Sequence, residues 1–134
     1  MSELRRVVPA PLPQVRATIE ETLRAEGFGI LTEVDVQATF RAKLGAEHEG
    51  HRILGVCNPA FAKRALDVDR DIALLLPCTV TLREVEGGTE VQVLDPNDAF
   101  RLAAAAAHEA LAPLAAEVRE RLGRAVAAVP ARAG

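Results

Sequence analysis

Helical and extended hydrophobic patterns alternate along this chain. Val15, Ile19 and Leu23 recur at helical spacing, which predicts an amphipathic helix with one buried stripe. Apolar and polar residues instead alternate one by one in Cys78–Val85, which is typical of a strand with one buried face. Between its two ends the sequence therefore predicts a mixture of helices and strands rather than a single class of element.

The predicted elements follow one another in the order β-α-β-α-β-α-β-β-α. They are strands over Leu4–Val8, Phe28–Val34, Ile53–Cys57, Cys78–Val85 and Glu90–Leu94, helices over Pro13–Ala25, Val36–Leu44 and Pro59–Leu66, and a helical region over 99–128. Glu86–Thr89 predicts a hairpin turn, because its two glycines supply positive φ angles. Pro113 is expected to split or kink the last helix. The order predicts an α+β fold.

Both cysteines lie in the segment Arg52–Leu82. Asn58 and Pro59 predict a strand end followed by a helix start, since Asn is a preferred N-cap and Pro is tolerated at the first helical position. Cys57 then precedes a helix N-terminus, whose partial positive charge favours a thiolate. This position makes Cys57 a candidate reactive or ligand-binding residue.

Cys78 opens the next predicted strand. If the strands that carry Cys57 and Cys78 are antiparallel neighbours, we expect the two thiols to lie close together at one edge of the sheet. The simpler interpretation is that both are core residues, because free cysteine is often buried as a small hydrophobe. Two cysteines are too few for a closed zinc site, and a disulfide is not expected in a reducing cytosol.

Glu33 and Asp35 form a candidate pair of carboxylates. Alternation along a strand places both on one face, and neighbouring carboxylates can separate their pKa values for acid and base roles. The simpler interpretation makes Asp35 the N-cap of the following helix and Glu33 a solvated strand residue.

Two histidines and two glutamates crowd the segment Glu47–His51. The spacing of His48 and His51 allows them to share a metal ion, with Glu47 or Glu49 as a further ligand. A short loop beside Gly50 is not expected to hold ligands at fixed geometry, so an ordinary solvated loop is the favoured interpretation. His108 stands alone in an alanine-rich segment.

Composition narrows the partners of this 134-residue chain, which is long enough for a single domain over 1–134. The net charge is −3 and the only aromatic residues are four phenylalanines, so neither a basic face nor a stacking platform for nucleic acid is expected. Charges and Pro113 interrupt the alanine-rich region, which argues against a membrane span. The sequence shows no secretory signal, so we expect a cytoplasmic protein.

Several motifs resemble, in order and spacing, the bacterial and archaeal domain-of-unknown-function family 302. They are Gly27–Asp35, Arg52–Pro59, Arg64–Leu66, Leu74–Cys78 and Gly87–Thr89. The resemblance covers 27–96 best, and Glu47–His51 is more polar than the family pattern. It implies a curved antiparallel sheet packed against helices, as in the TATA-binding protein, and a homodimer. It implies no activity.

Three functions remain open. A binding module would use Cys57, Cys78 and Asn58, with Glu33 and Asp35 nearby, to hold a small ligand or a soft metal ion such as Cu(I), which two thiolates can coordinate. An enzyme would use Cys57 as an activated thiolate and Cys78 as the resolving thiol, with Glu33 or Asp35 nearby for proton transfer. A structural or regulatory homodimer would need neither thiol. The sequence favours the binding module and contains no standard catalytic motif.

Overall fold

Five strands form one antiparallel sheet in the computed structural model, which describes residues 4–103 and 105–130. The strands are β1 (Arg5–Val8), β2 (Gly29–Asp35), β3 (His51–Cys57), β4 (Cys78–Val85) and β5 (Gly88–Val93). Their order across the sheet is β1-β5-β4-β3-β2, so β4 is central and β1 and β2 are the edges. All four neighbouring pairs are antiparallel.

The helices connect the strands in the predicted order. They are α1 (Leu12–Ala25), α2 (Val36–Leu44), α3 (Pro59–Val68), α4 (Pro96–Ala99) and α5 (Ala105–Ala128). Two 3₁₀ turns, Arg70–Leu75 and Phe100–Leu102, were not anticipated from the sequence. The α+β class, with an antiparallel sheet packed against helices, is confirmed.

The hairpin between β4 and β5 forms where the glycines predict it. Val85 pairs with Gly88, and the two-residue turn contains Gly87 at a φ of 91°. Gly88 has a φ of 145°, and a Cβ there would lie 2.9 Å from the Cα of Pro9. Both positions therefore require glycine. Gly87 needs it for its positive φ in the turn, and Gly88 needs it both for its positive φ and for the close approach of the chain after β1.

One face of the sheet, called the inner face here, is covered by α1 and α5. It is formed by side chains that pair directly across neighbouring strands and are buried: Leu54, Val56, Val80, Leu82, Val91 and Val93. The apolar stripe predicted on the C-terminal helix packs in this core, because Leu111, Leu114, Val118, Leu122 and Val126 are all buried. Most of the hydrophobic stabilisation of the fold therefore comes from this side.

Of the two effects predicted for Pro113, a split of the C-terminal helix is wrong, and a kink stays a prediction. Helix α5 continues through Pro113, and the helical region is interrupted earlier, after the 3₁₀ turn that ends at Leu102. Proline removes the donor to the carbonyl four residues before it, which belongs to Glu109. Glu109 and Pro113 are both exposed, so water can hydrate that carbonyl and the cost of the proline is reduced.

The opposite face of the sheet, called the outer face here, carries few covering elements. Direct pairing from β2 to β5 places Val34, Ile53, Thr81 and Gln92 in one row across it. Val34 is 47% exposed and Ile53 38% exposed. The part of the outer face around Thr81 is therefore open and uncharged, whereas Arg5, Arg83 and Glu90 place charges on the same face beside it.

Candidate functional site

The junction between β3 and α3 positions Cys57. Asn58 has extended backbone, and its Oδ1 accepts hydrogen bonds from the backbone amides of Ala60 at 3.1 Å and Phe61 at 3.3 Å. This N-cap confirms the predicted end of the strand and start of the helix. Cys57 is the last residue of β3, and the first amides of α3 are already occupied by Asn58.

The start of β4 brings Cys78 beside the end of β3. Cys78 pairs with Val56, so the predicted antiparallel neighbour relation is correct. The cysteines lie at the ends of two interior strands, however, and not on an edge strand of the sheet. Gly55 permits the approach of Pro77, because a Cβ at Gly55 would lie 2.7 Å from Cγ of that proline and would also clash with the Thr32 hydroxyl.

Both cysteines line one small cavity of about 30 Å³. It lies between the ends of β3 and β4 and the helices α3 and α5, and its lining residues are Phe28, Val56, Cys57, Asn58, Phe61, Ala62, Ala65, Leu76, Pro77, Cys78, Phe100, Leu114 and Val118. Asn58 is the only amide side chain in this set, and none of the lining residues is charged. The thiols are thus the main polarizable groups in an otherwise apolar space.

The environment of the thiols favours their protonated form. Burial raises the pKa of Cys57 above its ordinary value of 9.0. Burial, together with the nearby Cys57, raises the pKa of Cys78 to about 11. A helix N-terminus was expected to lower the pKa of Cys57 and favour its thiolate, but the pKa is raised. Desolvation dominates, and Asn58 already uses the amides of that terminus.

The carboxylates predicted near the cysteines lie elsewhere. Glu33 bridges two cations, with Oε1 2.8 Å from Arg16 and Oε2 2.6 Å from Arg52. Hydrogen bonding from Arg16 is the main reason that the pKa of Glu33 is lowered. Asp35 accepts from the amide of Ala38 at 2.9 Å and is the N-cap of α2. Neither carboxylate lines the cavity.

The cavity wall includes residues that the sequence analysis did not single out as part of a site. Phe61 packs 6.5 Å from Phe28, and the guanidinium groups of Arg64 and Arg121 lie 5.8 and 5.1 Å from its ring centroid. Arg121 also donates to the carbonyl of Glu26 at 3.3 Å. The helical spacing of the stripe on α5 was the only sequence signal for the opposite wall.

The histidine segment forms a second cluster, away from the cysteines. His48, Glu49 and His51 each offer a ligand atom, and these atoms lie within 4.8 Å of one another. Burial, followed by the nearby His48, lowers the pKa of His51. Glu47 lies outside this cluster, 3.8 Å from Arg41 and 87% exposed. The ring of His108 lies 3.1 Å from the Phe100 carbonyl.

These features define an α+β domain with a partly buried pair of thiols at the ends of two interior strands. The sequence matches the domain of unknown function DUF302 over residues 4–129, and the chain belongs to this family. The match extends over both flanks of the segment that showed the resemblance best.

Comparison of structures identifies the same family. The protein is similar to the crystal structure of an uncharacterized conserved DUF302 protein from Bacillus stearothermophilus, with a TM-score of 0.83 and 26% sequence identity. The match covers 94% of this chain and 96% of that chain. No curated protein matches the sequence.

Within 4–103 and 105–130, no helix combines the length and the apolar character needed to cross a membrane.

Proposed function

We propose that this protein is a non-catalytic binding domain that holds a soft metal ion, Cu(I), between Cys57 and Cys78. The observation that carries the proposal is that both thiols line one apolar cavity without a charged neighbour in its lining. Thiolate sulfur is a soft ligand and selects Cu(I) over hard cations.

The size of the cavity favours an ion over an organic ligand. A volume of about 30 Å³ is close to the share of one water molecule in the liquid. Pockets for organic ligands are commonly about 300–1,000 Å³. Of the two ligand classes expected from the sequence, the soft ion is therefore the better fit.

The same surroundings argue against a thiol enzyme. Nucleophilic catalysis requires a thiolate near neutral pH, whereas burial raises the pKa of Cys57. Catalysis also requires a base within hydrogen-bond reach of the thiol. Glu33 and Asp35 contact arginines and the start of α2 instead.

A raised thiol pKa makes metal binding dependent on pH. A coordinated thiol is deprotonated, so Cu(I) binding releases one proton for each thiolate formed. Because burial raises the pKa of Cys78 to about 11, its proton competes with the metal throughout the neutral range. We therefore expect the affinity for Cu(I) to rise with pH.

The test is an anaerobic titration of the reduced protein with Cu(I) in competition with a chromophoric chelator. We expect one ion per chain, and about a hundredfold or greater loss of affinity in Cys57→Ser and in Cys78→Ser, since loss of a ligand should exceed the 10- to 100-fold cost of losing an outer contact. Glu47→Gln, at a residue that is 87% exposed and lies outside the cavity, is the control and should bind as the parent does. Equal binding by the parent and both serine variants, each shown to be folded, would refute the proposal.

The outer face of the sheet supports a second candidate function, a homodimer through this face. Apolar residues on this face and in the turns beside it are exposed. Five of them are more than one-third exposed: Val34, Ile53, Leu74, Leu94 and Leu102. Its centre carries Thr79, Thr81 and Gln92, and none of these is charged. Depletion of charge at the centre is typical of protein interfaces, and a two-fold axis would pair this face with itself without charge repulsion there.

A further inference from the structure

The loop between α2 and β3 is fixed at several points, contrary to the solvated loop favoured from the sequence. Gln37 Nε2 donates to the carbonyl of His48 at 3.0 Å, and the amide of Glu84 donates to the carbonyl of Gly50 at 2.8 Å. Gly50 is buried, and the Glu84 side chain fills the space where a Cβ would be. The loop therefore makes contacts with α2 and β4 that the sequence did not predict.

The two imidazoles of this loop already face each other. His48 Nε2 lies 3.1 Å from His51 Nδ1, and the ring planes differ by 12°. The edge of Phe40 packs against the His48 ring, with centroids 5.1 Å apart. The rings are thus held together by packing as well as by the loop.

This spacing matches that of ligands around one metal ion. Zinc–nitrogen bonds of about 2.0–2.1 Å in a tetrahedral site place ligand atoms roughly 3.3 Å apart. His48 Nε2 and His51 Nδ1 lie 3.1 Å apart in a hydrogen bond, so a metal ion would replace the proton between them and hold them at a similar separation. A ligand atom of Glu49 lies within 4.8 Å of both, and its side chain is 45% exposed.

We propose that His48, Glu49 and His51 form a binding site for a divalent transition-metal ion of borderline softness, with Zn²⁺ as the type ion. Imidazole and carboxylate ligands suit this class better than they suit Cu(I) or the hard cations. Three protein ligands leave a coordination position for water, as in open zinc sites. The site is distinct from the cysteine cavity in both its position and its ligands.

The charges around the cluster are compatible with a bound cation. Arg83 Nη1 lies 3.8 Å from Glu49 Oε2 and competes for that carboxylate, but Arg83 also contacts Glu90 at 3.1 Å. Glu90 can retain Arg83 when Glu49 turns toward the metal.

The test is isothermal titration of the reduced full chain with Zn²⁺ at pH 7.5. We expect one histidine-dependent ion per chain and about a hundredfold loss of affinity in His51→Gln. Glu49→Gln should lose about tenfold, whereas Glu47→Gln, which removes an exposed carboxylate of the same loop, should bind as the parent does. Circular dichroism and the unfolding midpoint of each variant verify that it is folded.

Two spectroscopic measurements identify the ligands without relying on the variants. Adding Zn²⁺ to the parent should shift the ring ¹⁵N resonances of His48 and His51 and leave those of His108 unchanged. The Co²⁺ form should lack a thiolate-to-metal charge-transfer band. A thiolate band, unshifted His48 and His51 resonances, or equal affinities of the Glu49 and Glu47 variants would overturn this proposal.

Discussion

At the scale of single residues, the protonation of the two thiols separates the alternative functions. A catalytic cysteine must be a thiolate at working pH, whereas a core or metal-binding cysteine can remain protonated until the chain unfolds or a metal arrives. The surroundings of Cys57 and Cys78 favour the protonated form, because burial raises the pKa of both.

The rate of alkylation should therefore differ between the two cysteines. In the native, reduced protein we expect Cys57 to react more slowly than an unfolded thiol at neutral pH, with a midpoint above 9.0. Cys78 should react more slowly still, with a midpoint near 11. Mass spectrometry of each cysteine over a range of pH measures both midpoints. Fast alkylation of Cys57 at pH 7 would favour the thiol enzyme instead.

Glu33 should contribute to stability at neutral pH but not in acid. Hydrogen bonding from Arg16 lowers the pKa of Glu33 in the folded state, so the unfolded chain binds its proton first as the pH falls. Its contribution is present above its ordinary pKa of about 4.3 and is lost as the pH falls through the lower folded value. In Glu33→Gln, the free energy of unfolding at pH 7 should fall by about 1 kcal/mol or less.

Urea denaturation at pH 7 and pH 3 measures this effect. The difference in stability between the parent and Glu33→Gln should shrink at pH 3, because the parent carboxyl is then increasingly protonated. Glu47→Gln is the matched control, since Glu47 is 87% exposed and its contact with Arg41 is long, at 3.8 Å. An equal difference at both pH values would contradict a role for the charge of Glu33.

The sequence could predict local contacts of single residues but not the distant ones. Asn58 and Asp35 were correctly assigned as N-caps, because an N-cap contacts amides only two or three residues away. Glu33 was interpreted as solvated, yet Arg16 comes from α1 and Arg52 from β3. Such contacts depend on which elements become neighbours, which single-residue preferences do not determine.

At the scale of elements, β1 secures the C-terminal end of α5. Arg6 Nη1 donates to the carbonyls of Val126 at 2.9 Å, Ala127 at 3.3 Å and Val129 at 2.5 Å. The last carbonyls of a helix lack intrahelical donors, and a cation there also interacts favourably with the helix dipole. One side chain therefore connects an edge strand to the final helix.

Replacing Arg6 with alanine should destabilise the fold. Loss of these charge-assisted hydrogen bonds should lower the free energy of unfolding by about 1–3 kcal/mol. Chemical denaturation measures the change, and hydrogen exchange should show the amides at the end of α5 opening first. Arg101→Ala is the control, because Arg101 forms an exposed pair with Asp98 and should change stability by less than about 1 kcal/mol. Equal effects of the two substitutions would contradict the capping role.

A side chain should not be tolerated at position 55, whereas one should be tolerated at position 29. An added Cβ at Gly55 would lie 2.7 Å from Cγ of Pro77 and clash with Thr32, but one at Gly29 would meet no atom within 4 Å. We expect Gly55→Ala to lower the free energy of unfolding by about 1–3 kcal/mol, as overpacking does, and to displace the start of β4. Gly29→Ala is the matched strand control. Equal melting temperatures would show that Pro77 can move without cost.

The start of β4 also illustrates how far the sequence predicts the candidate site. The antiparallel pairing that brings Cys78 beside the end of β3 followed from the order of strands and the alternating pattern. The cavity did not, because Phe28, Phe61 and Val118 reach it from different elements. The helix break after Leu102 was also missed, since Pro113 gave a stronger local signal than the residues around the true break.

At the scale of the whole molecule, the two faces of the sheet differ in how far helices cover them. The inner face is buried by α1 and α5, whereas the outer face leaves Val34, Ile53 and Leu94 more than one-third exposed. An antiparallel sheet can face water on one side, but the exposed side is then usually polar. Here several of its positions are apolar, which is the reason to propose a second copy of the chain as its cover.

A charge placed on the outer face should prevent this dimer without unfolding the chain. We expect the parent to sediment as a dimer at micromolar concentration and Ile53→Lys to sediment as a monomer, because a pair of lysines near a two-fold axis would be desolvated and would repel each other. Leu44→Lys is the matched control: Leu44 is 73% exposed at the end of α2 and should leave the dimer intact. Analytical ultracentrifugation over a range of concentrations distinguishes the two states. A monomeric parent would leave the outer face without this role, and a dimeric Ile53→Lys variant would place the interface on another surface.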